Sequence, residues 1–399
     1  MRWRAWSRAL SGERLPAALV DLDALDRNVD RVRAHVAPFG KTLRVASKSV
    51  RHVGLLRRIL ERGGPCFSGL MCFSAEEAVF LRDRGFDDLL VAYPTVSPSG
   101  LRAVAEKVAA GATIRLMVDD RAHLDAAARA ARGAKTELEV LLDVDVSMRP
   151  FRALHLGAQR SPLREVASIE RLTRAAVQQE GVKPVGLMAY EAHVAGLPDA
   201  SPFDRGLNHA RRWFKRAAVP AVAEQRAAAI GAMRAAGVEP RIVNGGGTGS
   251  LRSTPREAGI TEATAGSGFL CPHLFDYFQG SELEPASFFA LEVCRIPEPG
   301  IVTCLGGGYI ASGEPGWDRL PLPCAPPGLS YLTGEGAGEV QTPLRLGPSS
   351  PPLRVGDPVL FRHTKAGELA ERFAHYLLLR DGAIESREPT YRGEGACFF

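Results

Sequence analysis

One rhythm runs through most of this chain: a short apolar run, then a stretch with apolar residues at helical spacing. The runs fall at 43–46, 66–73, 89–93, 114–118, 138–144, 185–190, 242–243 and 261–265. Each but the last reads as followed by a helix, and six of these helices show a pattern, at 55–60, 75–81, 101–108, 124–131, 168–179 and 218–236. Strands buried on both faces read as continuous apolar runs, and a helix between each pair makes them parallel. Eight such units in about 230–260 residues predict an α/β fold, a closed (β/α)8 TIM barrel.

Past about residue 280 the texture changes. Pro and Gly become dense, helical spacing fades, and β-prone runs appear at 288–293, 301–305, 358–361 and 376–379. The expected organisation is a barrel over 25–280 and a C-terminal β domain over 281–399. Residues 1–24 form an N-terminal segment whose β-prone run, 15–22, pairs with the β domain. Asp23 is the expected N-cap of a helix over 23–36. The 399 residues, 45% hydrophobic, are ample for two cores.

The 50 basic and 45 acidic residues leave a net charge of +5 with no basic tail. Nucleic acid is therefore not the expected partner. No apolar run reaches membrane-spanning length, and none follows the basic start Met1-Arg2-Trp3-Arg4. The seven cysteines form no CxxC pair, which argues against a disulfide framework or zinc ribbon. A soluble, cytoplasmic protein with no membrane partner is expected.

The chemistry-bearing residues gather at the C-terminal ends of the expected strands, where such barrels place their active sites. After the seventh run come Asn244, Gly245, Gly246, Gly247, Thr248, Gly249 and Ser250. Consecutive glycines bare backbone N–H groups and the hydroxyls add donors, a combination suited to a phosphate. Gly266, Ser267 and Gly268 make a second such turn after the eighth run, and loops after strands seven and eight commonly hold phosphate. Lys48, one of only seven lysines, ends the first run. A lysine there either forms a Schiff base or reaches solvent. Asp143 and Asp145 end the fifth run and read best as turn caps. Arg160 lies in the loop that follows and suits an anionic oxygen or solvent. Tyr190, Glu191 and His193 close the sixth run as a candidate acid–base cluster. In the β domain, His363 with Glu368 five residues on reads as a metal pair, a base or a surface turn.

Taken together, the segments VDLDALDRN (20–28), RVASKSV (44–50), LLVAYPTV (89–96), HLGAQRSP (155–162), GLMAYEAHVAG (186–196), VNGGGTGS (243–250), TAGSGF (264–269), GEGAGEVQTPL (334–344), HTKAGEL (363–369) and PTYRGEG (389–395) resemble the fold-type III pyridoxal phosphate enzymes. These have an alanine racemase-like barrel followed by a β domain. Within them the chain is similar to the D-threonine aldolase and D-serine dehydratase branch, above all to its amino acid deaminase/aldolase group.

The resemblance implies pyridoxal 5'-phosphate as cofactor, a small amino acid as substrate and a homodimer. Lys48 would carry the cofactor as a Schiff base. Arg160 would face its phenolic oxygen, Tyr190 would line its pocket, and Asn244, Gly245, Gly246, Gly247 and Thr248, with Ser267 and Gly268, would hold its phosphate. The implied reaction cleaves a β-hydroxy-α-amino acid of D configuration to glycine and an aldehyde, with Lys48, Tyr190, His193 and His363 as catalytic candidates. The alternatives are dehydration to a keto acid and ammonia, or racemisation with Tyr309 or Tyr331 as second base. A cofactor carrier would not need the β domain, and a sugar-phosphate barrel would not need Lys48.

One departure stands out. These aldolases and dehydratases bind a divalent metal through His-x-Asp or His-x-Cys in the β domain, whereas here the stretch reads His363-Thr364-Lys365. Either Glu368 substitutes and His363 remains a metal ligand, or no metal binds and His363 acts alone as the base.

Overall fold

The computed structural model describes residues 2–151, 154–365 and 367–398. Met1, Arg152, Ala153, Ala366 (inside the HTKAGEL segment) and Phe399 lie outside the described residues. In chain order, strand β1 is Ala17–Asp21, and β2 (Thr42–Ala46), β3 (Phe67–Cys72), β4 (Leu89–Val91), β5 (Ile114–Val118) and β6 (Leu138–Asp143) begin the barrel. A hairpin of β7 (Met148–Phe151) and β8 (Leu154–Leu156) follows. Then β9 (Val182–Met188), β10 (Ile242–Gly245) and β11 (Glu262–Ala265) complete a closed parallel barrel, in which β11 returns to β2 with Ala263 opposite Leu43 and Ala265 opposite Val45. The eight expected strands and the (β/α)8 class are therefore observed.

Alternation along each strand sets the layers. Leu43, Val45, Leu70, Leu116, Val118, Val140 and Leu142 are buried in the main core, shared with the helices. Ala46, Met71, Leu90, Met117, Leu141 and Val185 form a separate buried cluster. The other end of the barrel is closed by charge: buried Arg44 pairs with Glu262 at 2.7 Å and with Asp88 at 3.1 Å, and Arg115 pairs with Glu139 at 2.7 Å.

One helical position differs from expectation: after β10 come only the 3-10 turns Thr248–Ser250 and Thr254–Arg256. The last barrel strand, β11, is followed by the short helix Ser267–Leu270. The helix Leu22–Val36, from the N-terminal side, packs against Ser267–Leu270 and against the first barrel helix, Val53–Gly63. Buried Asn28 fastens it, donating to Phe269 O (3.0 Å) and Glu284 O (2.7 Å) and accepting from Glu284 N (2.8 Å). Asp21 caps this helix, accepting from Ala24 N at 3.0 Å; Asp23 sits in the first turn and accepts from Asp381 N.

The β domain is built on β12 (Ser287–Glu298), β13 (Ile301–Leu305), β14 (Leu322–Ala325), β15 (Leu329–Tyr331), β16 (Gln341–Leu346), β17 (Pro358–Arg362), β18 (His375–Arg380) and β19 (Ala383–Pro389). The N-terminal strand β1 is one of its central members, antiparallel to β12 and parallel to β18. Trp6 packs edge-on against Phe288 at 4.9 Å, which brings the first helix, Arg2–Ala9, onto the same sheet. Among the described residues no helix is long and apolar enough to cross a membrane.

Candidate active site

A cavity of about 660 Å³ opens at the C-terminal ends of the barrel strands, beneath the β domain. Lys48 reaches it from the 3-10 turn Ser47–Ser49 that ends β2. That turn is pinned on both sides. Ser47 Oγ donates to Met71 O at 2.8 Å, and Arg51 Nε donates to Lys48 O at 3.0 Å. Lys48 Nζ donates to the Tyr93 hydroxyl at 2.7 Å. Burial raises the Tyr93 phenol, but the Lys48 ammonium beside it, joined by Arg160, outweighs burial and holds the group below its ordinary value.

Arg160 lines the same cavity with its guanidinium carbon 5.9 Å from the Tyr93 ring centre. Among the described residues that guanidinium makes no ion pair, so its donors remain open to an anion. Tyr190 lines the same cavity, and burial, followed by the Glu191 carboxylate, pushes its phenol up to about 12. Asp143, read from sequence as a cap, faces the cavity instead. Burial, with Asp119 nearby, pushes its carboxyl up to about 7 against the pull of Arg160. Asp145 does cap: it accepts from Ser147 N at 2.8 Å and pairs with Arg149 and Arg164.

The glycine turn is built differently from its sequence reading. Gly246 N–H donates to the buried Glu191 carboxylate at 3.0 Å, and Gly247 N–H to Ser250 Oγ at 3.1 Å. Two of the bared N–H groups are therefore spent inside the protein. Glu191 also accepts from Ser250 Oγ at 2.6 Å and Thr254 Oγ1 at 2.5 Å and pairs with Arg226. Burial raises its carboxyl, but these partners, Arg226 foremost, hold it below the ordinary range. Glu191 is thus a brace for the loop rather than part of an acid–base cluster.

The glycines themselves answer to packing. A Cβ at Gly245 would lie 2.7 Å from Arg226 Nη2, one at Gly247 3.0 Å from Ala195 Cβ, and one at Gly249 2.2 Å from Ala195 O. Gly245 does not line the cavity, and the Asn244 amide is committed to Glu262 (2.7 Å) and Thr264 (2.8 Å). Asn244, Gly246, Gly247 and Thr248 line the cavity from the first turn and Gly266 and Ser267 from the second, with Ser49 Oγ 3.5 Å from Ser267 Oγ. Gly268 is also off the cavity wall, yet its N–H locks the two turns together by donating to Thr248 Oγ1 at 2.9 Å.

The two candidate histidines do not line this cavity. His193 is buried against Phe214, both ring nitrogens lack partners among the described residues, and burial lowers its pKa. His363 is buried with Nδ1 3.2 Å from Ser287 O, and burial, against that hydrogen bond, drives its pKa down to about 3. It lines a second cavity of about 390 Å³. Glu368 does not turn to it: that carboxylate accepts from Ser312 N and Oγ, at 3.0 and 2.5 Å. Among the described residues no three His, Cys, Asp or Glu side chains converge as a metal site requires.

The β domain contributes Ser312, Asp318, Arg319, Lys365 and Glu368 to the main cavity, and Ser312, Asp318 and Arg319 were not singled out from sequence. Their segment is glycine-rich, with Gly313 after Ser312 and Gly316 before Asp318, but it lies outside the barrel rhythm that marks strand ends. Tyr93 was signalled only by its place at the end of the third apolar run.

Residues 20–266 match the alanine racemase N-terminal domain family. The chain belongs to that family. Its alanine racemase-type barrel spans most of the match, and the match begins inside β1. The chain is 25% identical over 255 residues to a 3-hydroxy-D-aspartate aldolase of Paracoccus denitrificans (strain Pd 1222), covering 63% of this chain and 59% of that protein. It is 26% identical over 257 residues to a D-threo-3-hydroxyaspartate dehydratase of Delftia sp. (strain HT23), covering 63% and 60%. The aligned part thus spans about three fifths of the length of these relatives. The fold is that of the D-threonine aldolase from Filomicrobium marinum, with a TM-score of 0.81 at 21% identity over 96% of both chains.

Proposed function

We propose that this cavity is the active site of a pyridoxal 5'-phosphate-dependent lyase that cleaves β-hydroxy-D-α-amino acids between Cα and Cβ, giving glycine and an aldehyde. The observation that carries this reading is Lys48 Nζ, 2.7 Å from Tyr93 OH, in one cavity with the paired turns at Thr248 and Ser267. The residues fit the cofactor. Lys48 supplies the amine for its aldehyde, Arg160 an uncommitted guanidinium for its phenolate, and Ser49, Thr248 and Ser267 hydroxyls for its phosphate. The turns that present those hydroxyls have no room for a further side chain: a Cβ at Gly266 would lie 2.6 Å from Ser49 Oγ, and one at Gly268 2.9 Å from Thr248 Cγ2. Bound at Lys48, pyridoxal phosphate supplies an electron sink for negative charge at the substrate Cα.

The chain's own groups do the rest. Tyr93 shares a hydrogen bond with Lys48, so a proton can pass between amine and phenol. Tyr190, raised to about 12, stays protonated and donates. Asp143, near 7, can take or return a proton at neutral pH. The β domain walls part of the cavity with Ser312, Asp318, Arg319, Lys365 and Glu368. We also take the enzyme to be a homodimer and, in keeping with its seven free cysteines, cytoplasmic.

Dehydration to a keto acid and ammonia is the second reading. It is favoured by a sequence identity to a dehydratase, 26%, similar to that to an aldolase, 25%, and by Asp143, which at pH 7 can protonate a leaving hydroxide. Racemisation finds less support. The Tyr331 hydroxyl donates to Pro321 O at 2.8 Å, and Tyr309 packs between Phe289 and Phe373. D-Threonine separates the readings: glycine with acetaldehyde marks the aldolase, ammonia with a keto acid the dehydratase, and neither pair defeats both. Borohydride reduction followed by mass spectrometry should add the cofactor to Lys48. A Lys48→Ala protein that traps the same adduct refutes the attachment.

A further inference from the structure

Ser312, Lys365 and Glu368 line both the main cavity and the second one beside His363, so they form the partition between the two. They act as one unit. Ser312 Oγ donates its proton to Glu368 Oε1 at 2.5 Å and therefore accepts from Lys365 Nζ at 3.0 Å. The Lys365 ammonium lies 3.8 Å from the same Glu368 oxygen. An ammonium has three N–H donors, and among the described residues one hydrogen bond engages it; the side chain is 47% exposed and lines both cavities, so two donors stay open there. Gly367 is pressed on the backbone of Lys48. A Cβ at Gly367, whose φ is +82°, would stand 1.8 Å from Lys48 O.

The residues here do not fit the divalent metal that the resemblance implies. The second ligand position is a cation, Glu368 is held by Ser312, and His363 faces the other cavity with Nδ1 on Ser287 O. We propose that Lys365 takes the place of that metal. Its ammonium contacts the oxygen on the substrate Cβ and stabilises negative charge there, and the reaction needs no divalent cation. The proposal rests on reading the cavity as a site for β-hydroxy amino acids.

The test uses the cofactor-loaded, full-length enzyme with D-threonine and D-phenylserine, together with electron paramagnetic resonance of added Mn²⁺. Chelator should change kcat/KM less than about two-fold, and the Mn²⁺ signal should stay that of the free ion. Lys365→Ala should lower kcat about 100-fold, the scale of losing one charge-stabilising donor, with cofactor content unchanged. Lys365→Arg, which keeps the charge and tests for simple misfolding, should recover most of that loss. An active wild type that binds one Mn²⁺ or loses activity in chelator overturns this proposal alone, as does Lys365→Ala at wild-type kcat. A wild type that turns over neither amino acid overturns the functional reading and this assignment with it.

Discussion

Lys48 and Tyr93 illustrate how much a single contact decides. Position at a strand end makes Lys48 a candidate, but an exposed lysine would satisfy the same pattern. The 2.7 Å bond to Tyr93, beside Arg160, makes it a group held in a cavity. Tyr93→Phe should lower kcat/KM by about 10- to 100-fold with the fold intact by circular dichroism, the scale of a lost proton-transfer partner; wild-type activity would remove Tyr93 from the mechanism. Asp143 makes a prediction about stability. Its folded pKa, about 7, stands above that of an unfolded aspartate. Its contribution is therefore fully present below about pH 4 and is lost as pH rises through about 7. Asp143→Asn should thus be stabilising relative to wild type at pH 8, by roughly 2–4 kcal/mol, and near neutral in effect at pH 4. Urea denaturation at the two pH values checks it, and a difference that does not change between them contradicts it.

At the scale of elements, the turn after β10 is a case where the right location carried an incomplete reason. Glycine-rich composition suggests bared donors, and the location after the seventh strand is legible from the rhythm alone. The structure commits the Gly246 and Gly247 N–H groups to Glu191 and Ser250, and keeps the glycines small because Arg226, Ala195 and Tyr190 crowd them. Gly247→Ala should therefore cost about 1–3 kcal/mol by overpacking and lower cofactor content after dialysis; an unchanged melting temperature would sink the packing argument. Boundaries were missed where local signal conflicts with tertiary support. The helix read at 218–236 runs Asn208–Ala235, because packing carries it through Pro220. Strand β19 was not anticipated because it alternates exposed and half-buried positions at the edge of the sheet and has no apolar run.

At the scale of the molecule, barrel and β domain are joined by strand β1 and by the helix Leu22–Val36, so the N-terminal segment serves both. Asn28 is the fastening. Asn28→Ala would leave the Phe269 and Glu284 backbone groups without these partners and should cost about 2–3 kcal/mol, seen as a lower melting temperature. A melting temperature within error of wild type would show that the joint relies on other contacts. Periodicity determined the barrel, the order of its strands and the positions of Lys48 and the two small-residue turns, because each of these is a local pattern with one physical reading. Which polar groups face the cavity depended on long-range packing, which no local pattern encodes. Folding placed Glu191 behind the loop, Asp143 in front of it and His363 in a neighbouring cavity, and it brought Ser312, Glu368 and Lys365, more than fifty residues apart at the extremes, onto one wall. The glycine turn after the seventh barrel strand could be found in the sequence; the Lys365 cation in the same cavity could be given a role only once its neighbours were known.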